Sequence, residues 1–117
     1  MAEYLPIYKP GQAITLKASA TITGGQLVEV TGSGTVGPAG AASTKVVGVA
    51  AFDAATNDNV TIYSGGVQHA TASGAVTAGD VVQAAASGQV ASGSTAPLGI
   101  ALTTAANGAD VRVQFNR

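Results

Sequence analysis

The sequence predicts an all-β protein: a small single-domain β-barrel or sandwich built from two pseudo-repeats of about fifty residues, with an extended N-terminal arm. Three observations lead to this prediction. One phrase occurs twice with the same internal spacing, apolar residues alternate with period two, and turn signals separate the alternating segments. Several short strands at close spacing are typical of small barrels and sandwiches.

The duplication is visible by direct comparison. The stretch "ATITGGQLVEVTGSGTVG" at residues 20–37 returns as "GAVTAGDVVQAAASGQVA" at residues 74–91. After a Gly/Ser/Ala-rich loop, "GVAAFDAATNDNVTIY" at residues 48–63 aligns with "GIALTTAANGADVRVQ" at residues 99–114. The identical pairs include Thr23/Thr77, Gly25/Gly79, Val28/Val82, Ser33/Ser87, Gly34/Gly88, Val36/Val90, Gly48/Gly99 and Val60/Val111.

Two copies indicate a pseudo-symmetric domain, because a solenoid needs about three or more stacked units. We expect an N-terminal arm at residues 1–12 and one β domain at residues 13–117. Within that domain, repeat one covers about residues 19–64 and repeat two about residues 73–115.

Each repeat is predicted to form strands. Residues 13–18, 26–31, 59–63 and 110–115 alternate apolar and polar side chains, as half-buried strands do. The short apolar runs at residues 45–52 and 97–102 indicate buried strands. A single helical turn is the alternative for "FDAATND" and "TTAANGAD", because alanine has the highest helix propensity.

Gly25 and Gly79 are predicted to be structural turn glycines. Each precedes a predicted strand at a point where the chain must reverse. Glycine adopts a positive φ there without the steric penalty that a Cβ brings.

The first twelve residues, "MAEYLPIYKPGQ", differ from the remainder because they concentrate aromatic residues and prolines. Each proline favours extended geometry in the residue before it. One interpretation is a disordered terminus or an edge strand. The other is an extended arm that lies on a partner, with Tyr4, Leu5, Ile7 and Tyr8 as its anchors.

Composition limits the classes of function. Charged residues are 9% of the chain and the net charge is −1, whereas about a quarter is usual. Lys9, Lys17, Lys45, Arg112 and Arg117 are spread along the chain, so nucleic-acid binding has no electrostatic basis. Apolar runs are far shorter than the roughly 18 residues of a membrane helix, and no signal peptide is evident. Either the chain is a sparsely charged monomer or, as we favour, other subunits cover much of its surface.

Residues for catalysis are scarce. His69 is the single histidine and has no carboxylate beside it in sequence, so a surface or packing role is expected. The acids fit turns better than a calcium loop. "GSGTVG" lacks the Lys-Ser/Thr pair of a phosphate-binding loop, and Lys45 lacks the context of a lipoyl or biotinyl attachment site. Cysteine is absent, which excludes disulfides and thiolate sites. We expect no enzyme activity, no cofactor and no metal.

The order and spacing of the motifs resemble those of tailed-bacteriophage capsid decoration proteins, which are also called cement or head-stabilising proteins. The pattern is a Gly-rich turn running into G-[DQ]-x-V, then an apolar-G-apolar-A strand, a second G-D-x-V and a closing segment. Here these motifs lie at residues 25–28, 47–50, 79–82 and 98–115.

The resemblance implies a non-enzymatic virion protein on the outer surface of an icosahedral head. Proteins of this kind commonly form trimers, bind the expanded shell and bridge neighbouring major capsid proteins. It therefore implies the major capsid protein and further copies of this chain as partners, with the arm as a capsid contact. A phage tail or fibre module remains an alternative. A carbohydrate-binding module is a weaker one, because the chain has only three Tyr, two Phe and no Trp.

Overall fold

The computed structural model describes residues 4–9 and 11–116 and confirms the all-β prediction. The unit formed around repeat one contains β1 (Ile14–Ala18), β2 (Leu27–Gly32), β3 (Thr35–Pro38), β4 (Val46–Ala50) and β5 (Asn59–Tyr63). The unit formed around repeat two contains β6 (Gly66–Thr71), β7 (Val81–Ala85), β8 (Gln89–Ser92), β9 (Gly99–Ala101) and β10 (Asp110–Phe115). The first five strands form a closed barrel in the order β1-β3-β2-β4-β5, and the next five form a sheet in the order β6-β10-β9-β7-β8.

The two sets of strands share one topology. If β6 is matched with β1 and β10 with β5, four of the five neighbouring pairs in the barrel have a counterpart in the second sheet, and the exception is β1 with β3. The barrel closes where β1 and β3 pair in parallel, and this pairing includes Ala18 with Val36. The counterpart in repeat two is a single parallel bridge between Ala72 and Val90. The second sheet is therefore a nearly closed version of the first barrel.

Strand registers extend the equivalence upstream of residues 19 and 73. Leu16 pairs with Val60 in repeat one, and Ala70 pairs with Val111 in repeat two. The β1 and β6 sequences, "ITLKA" and "GVQHAT", share little identity. Their equivalence is expressed in backbone pairing, which sequence comparison does not detect.

The interiors of the two units consist of matched small side chains. The barrel encloses one cluster of buried residues, and the equivalent positions of repeat two are buried as well. These pairs are Ala18/Ala72, Ile22/Val76, Val28/Val82, Val36/Val90, Ala50/Ala101, Ala54/Ala105, Val60/Val111 and Ile62/Val113. The two cores therefore share one layout of small side chains, to which the cluster of repeat two adds the larger Leu98 and Phe115.

A third group of apolar residues joins the two units. Leu27, Ala39, Val46 and Val49 belong to repeat one but cluster with the core of repeat two. Leu27 and Val49 pair across β2 and β4, which places both side chains on the same outer face of the barrel. Repeat two covers this face, so the two units form one continuous domain.

The alternative of helical turns at residues 52–58 and 103–110 is wrong. Both segments instead carry isolated β-bridges, Ile22 with Ala54 and Val76 with Ala105. Ala54 and Ala105 are buried against strands, and this tertiary contact overrides the helix propensity of alanine. Among the described residues, the one helical element is a 3₁₀ turn at Ala86–Gly88.

Gly25 and Gly79 lie in equivalent turns. Their φ angles are +89° and +93°. The Gly25 amide donates to the Ala50 carbonyl at 2.9 Å, and the Gly79 amide donates to the Ala101 carbonyl at 2.8 Å. A Cβ at either position would meet no atom within 4 Å, so the demand on these residues is conformational and not steric.

Gly48 of the apolar-G-apolar-A motif and its counterpart Gly99 must be glycine for a different reason, which is steric. A Cβ on Gly48 would lie 2.3 Å from the Tyr63 carbonyl oxygen, and one on Gly99 would lie 2.0 Å from that of Gln114. The paired strand approaches too closely for any side chain, so this motif marks backbone contact between β4 and β5 and between β9 and β10.

The junction between the repeats depends on a close backbone approach at Gly88. The β7–β8 hairpin inserts its tip beside β2, where the Gly88 amide donates to the Ala39 carbonyl at 2.9 Å. The Gln26 side-chain amide donates to the Ser87 carbonyl at 2.9 Å. Ser87 and Gly88, in the three-residue tip of this hairpin, both have positive φ angles, 61° and 69°.

We expect Gly99→Ala to destabilise the protein far more than Gly79→Ala. The first change places a methyl group against a carbonyl of the paired strand, and such overpacking costs roughly 3 kcal/mol. The second adds only a positive-φ penalty of roughly 1 kcal/mol. Urea denaturation of both variants measures the difference in the free energy of unfolding, and equal losses would contradict the steric reason for the motif.

We expect Gly88→Ala to weaken the junction. The new Cβ would lie 2.8 Å from the Leu27 carbonyl oxygen and from the Gln26 Cβ. Gly108→Ala is the matched control, because Gly108 also has a positive φ of 81° but open space around it. The control should lose roughly 1 kcal/mol of unfolding free energy and Gly88→Ala roughly 3 kcal/mol. Indistinguishable denaturation curves would show that the junction tolerates a side chain.

Candidate functional site: an exposed arm and the junction of the repeats

The described part of the predicted arm, residues 4–9 and 11–12, presents large apolar side chains to solvent. Tyr4, Leu5 and Ile7 have exposed fractions of 83%, 78% and 89%. Residues 1–3 and 10 of the predicted arm lie outside the described residues. Burying a large apolar side chain is worth roughly 1.5–3 kcal/mol. Residues 4–7 contain three of these exposed apolar side chains, so this segment would gain free energy from burial against a partner.

Tyr8 differs from the other three predicted anchors because it is tied to the domain. Its exposed fraction is 42%, and its hydroxyl oxygen accepts the Thr15 amide proton at 3.2 Å. Two residues on, the Lys17 amide donates to the Gly34 carbonyl. Alternate amides of a strand point the same way, so the Thr15 amide, which donates to the Tyr8 hydroxyl, lies on the same side of β1 as the Lys17 amide. Tyr8 therefore attaches the arm to the domain. We call Tyr8, together with Lys9 and Gln12, the root of the arm, from which Tyr4, Leu5 and Ile7 project.

A turn strengthens this root. The Lys9 amide donates to the Gln12 side-chain oxygen at 2.6 Å, and the Gln12 amide donates to the Lys9 carbonyl at 3.0 Å. The path of the chain from the arm into β1 is thus set by three hydrogen bonds.

A second apolar surface lies on the outer face of repeat two. Val67, Val81, Ile100 and Leu102 have exposed fractions of 55%, 38%, 41% and 45%. Val81 pairs with Ile100, Ile100 with Gln114, and Gln114 with Val67. Directly paired residues share a face, so Val81, Ile100, Gln114 and Val67 form a row across four strands, with the polar Gln114 between the apolar members. The sequence alone did not reveal this row.

The junction also contains a cavity of about 460 Å³. Repeat one lines it with residues 23–26, and repeat two lines it with parts of β6, β10 and the β7–β8 hairpin. His69 and Asp110 lie at its wall, with the His69 Nδ1 atom 3.1 Å from the Asp110 Oδ2 atom. The sequence did not reveal this pair, because 41 residues separate its members and only the β6–β10 register brings them together.

The chemistry of this pair is modest. Both side chains are largely exposed, and water and salt screen such pairs strongly. No group of three or more His, Asp or Glu side chains that could hold a metal ion occurs in residues 4–9 and 11–116. Over the same residues, no helix is long and apolar enough to cross a membrane.

Asp80 closes the turn that follows Gly79. Its Oδ2 atom accepts the Ser92 hydroxyl proton at 2.7 Å and the Thr77 amide proton at 2.9 Å. These two bonds favour the ionised carboxylate and hold the pKa of Asp80 below its usual value. In repeat one the equivalent acceptor is the Gln26 side-chain oxygen, which bonds to the Thr23 amide at 2.8 Å. Asp80 is therefore a fixed negative charge at a position where repeat one is neutral.

Comparison with known proteins gives three findings. A family model described as phage cement protein matches residues 8–116. The structure is similar to that of the head fiber gp8.5 N base in bacteriophage phi29, with a TM-score of 0.69 and 18% sequence identity. That similarity covers 90% of this chain and 93% of the phi29 chain and concerns the fold alone. No sequence match was found among curated proteins.

The family match confirms the resemblance inferred from the motifs, since all four motif segments lie within residues 8–116. It also begins at Tyr8, so the hydrogen-bonded root of the arm falls inside the matched region and the exposed residues 4–7 precede it. The chain therefore belongs to the phage cement protein family and is a structural protein of the phage virion.

Proposed function

We propose that this protein binds the outer surface of an icosahedral phage head and stabilises the expanded shell by bridging neighbouring major capsid proteins. The observation that carries the proposal is the match to the phage cement protein family over residues 8–116. The function is non-enzymatic and needs no cofactor. Its partners are the major capsid protein and further copies of this chain, arranged as a homotrimer.

The arm supplies the chemistry for capsid contact. Tyr4, Leu5 and Ile7 gain most from burial because they are the most exposed large apolar side chains among the described residues. Ordering an extended segment opposes binding, but the bonds of Tyr8, Lys9 and Gln12 already fix the start of the arm. A partner then has to order only the residues that precede Tyr8.

Stabilisation follows from mass action. A protein that binds the expanded shell and not its precursor shifts the equilibrium towards the expanded state. Many copies on one lattice, each with several contacts, turn modest single-site affinity into strong collective binding. The low charge of the chain, 9% of residues, suits subunits packed side by side.

The second candidate function is a tail or fibre module, and the similarity of the fold to the phi29 head fiber base supports a fibre base. Co-sedimentation with expanded, undecorated heads of the phage that encodes the chain separates these functions. Saturable binding near one copy per major capsid protein supports the cement role. Saturation far below that ratio supports the base of a head fibre, and no binding at any concentration supports a tail module.

We expect combined replacement of Tyr4, Leu5 and Ile7 by serine to weaken head binding at least tenfold, because it removes the apolar area that the shell would bury. The thermal unfolding temperature should not change, since these side chains are exposed. The apparent dissociation constant is measured by co-sedimentation with expanded heads.

The matched control replaces Phe52 and Val67, which are exposed on the body of the domain at 48% and 55%, by serine. It should bind heads like the unmodified protein. Unchanged binding by the arm variant, or an equal loss in the control, would overturn the role of the arm.

Tyr8→Phe tests the root separately. The variant keeps the ring but removes the acceptor for the Thr15 amide. Hydrogen exchange followed by NMR should show severalfold faster exchange at Thr15, with the amides of β2 and β4 unchanged. We also expect a smaller loss of head affinity than in the arm variant. If Thr15 exchange does not change, the hydroxyl does not fix the root.

A further inference from the structure

The junction within the chain is a head-to-tail contact between two equivalent units. Repeat one supplies a groove formed around Gln26, Leu27 and Ala39, and repeat two supplies the β7–β8 hairpin that fills it. The groove and the hairpin are formed by different segments of the repeat. Each repeat should therefore possess a groove and a hairpin. In a single chain the groove of repeat two and the hairpin of repeat one remain unused.

The unused groove is present in repeat two. Asp80, Val81, Ser92, Gly93 and Ser94 line an open depression of about 300 Å³. Val81 is the counterpart of Leu27, and Gly93 the counterpart of Ala39. The same backbone bond builds both grooves: the Ala39 amide donates to the Leu27 carbonyl at 2.9 Å, and the Gly93 amide donates to the Val81 carbonyl at 2.9 Å.

The floor of this groove is apolar and uncovered. In repeat one the paired residues Leu27 and Val49 are 0% and 4% exposed beneath the hairpin. Their counterparts Val81 and Ile100 also pair with each other, but they are 38% and 41% exposed. The chain therefore retains the apolar docking face in repeat two without a unit to cover it.

The unused hairpin is β2–β3 of repeat one. Gly34 is the counterpart of Gly88 and also has a positive φ, 74°, with nothing within 4 Å of its Cβ position. Val30 is the counterpart of Ala84, and their exposed fractions are 37% and 1%. The tip of the β2–β3 hairpin thus keeps a glycine, Gly34, where a close backbone approach requires one. The same hairpin also keeps an apolar residue, Val30, which is exposed to solvent.

Charge distinguishes the unused pair of surfaces from the used pair. Thr71 and Gln26 both line the junction cavity, one from each repeat. Their counterparts are Lys17, beside the β2–β3 hairpin, and Asp80, in the open groove. Docking in the internal manner would bring these opposite charges together at the place where the internal junction has two neutral side chains.

We propose that the β2–β3 hairpin of one copy docks into the Asp80–Val81–Gly93 groove of a second copy, so that copies associate head to tail through a repetition of the junction inside each chain. Such a heterologous contact closes into a ring or extends into a filament, according to the rotation it generates. The inference rests on the internal junction and does not depend on capsid binding.

The proposed contact between copies differs from the internal junction in two respects. The β2–β3 register shifts between Val30 and Gly32, whereas the β7–β8 register is regular. Asp80 also cannot donate to a carbonyl as Gln26 does to Ser87. The contact between copies therefore relies more on apolar burial and the Lys17–Asp80 attraction than on hydrogen bonds.

The test uses sedimentation velocity of the full chain over a wide concentration range. Val81→Glu blocks the groove, and Val30→Glu blocks the hairpin side. Both residues are exposed in the single chain, so circular dichroism should show folded protein. Each variant alone should dissociate at least tenfold more readily than the unmodified protein, because docking would bury an unpaired carboxylate.

Mixing provides the decisive measurement. An equimolar mixture of the two variants should form a dimer and no larger species. The Val81→Glu chain keeps a working hairpin and the Val30→Glu chain keeps a working groove, so one contact can form between them and no further contact can follow. Val67→Glu is the matched control. It places the same charge on the same face, at the far strand β6, and should associate normally.

Several outcomes would overturn the proposal. They are a monomeric unmodified protein at all concentrations, normal association of either blocked variant, an equal defect in the Val67→Glu control, and a mixture that does not form dimers. Failure of head binding in co-sedimentation would leave this result unaffected, because the assay here contains no capsid.

Discussion

The structure depends on the fit between the β7–β8 hairpin and the outer face of β2 and β4. Gly88 allows the hairpin backbone to touch the backbone of Leu27, and this contact covers Leu27 and Val49. Without it, each unit would depend on its own core, which consists mostly of alanine and valine. Small side chains bury little area, and the hydrophobic free energy scales with that area. Joining the units adds outer-face residues of repeat one, such as Leu27 and Val49, to the core of repeat two, while the barrel keeps a cluster of its own.

This constraint explains how a chain with so few large residues holds a defined shape. The pairs of equivalent buried positions place one layout of small side chains in two successive units. Both layouts are fastened by the same backbone bonds, such as those of Gly25 to Ala50 and Gly79 to Ala101. The domain is thus specified largely by backbone geometry and by residues that are small enough to let backbones approach.

The sequence was sufficient for the fold class and for the family, because period-two alternation and the ordered motifs are local signals. The strands at Asn59–Tyr63 and Asp110–Phe115 have the predicted bounds. The equivalence of β1 and β6 was not predictable, since it depends on pairing and not on shared side chains. His69 and Asp110, and the row from Val81 to Val67, were missed for a related reason: strand register, and not sequence proximity, makes them neighbours. The arm was visible as a composition shift, but the separate behaviour of Tyr8 required the bond to Thr15.

The closure of the first barrel has a consequence for how anything can bind there. With β1 paired on one side to β5 and on the other to β3, the strands of repeat one have little free edge along which a foreign strand could add. Partners must then be recognised through projecting side chains, turns and the arm, and not through extension of the sheet. Repeat two is the exception, because among the described residues the β1–β3 pairing is replaced there by one parallel bridge, between Val90 of β8 and Ala72, which follows the end of β6. That seam is the place in the described domain where main-chain groups of a partner could enter the hydrogen-bond pattern.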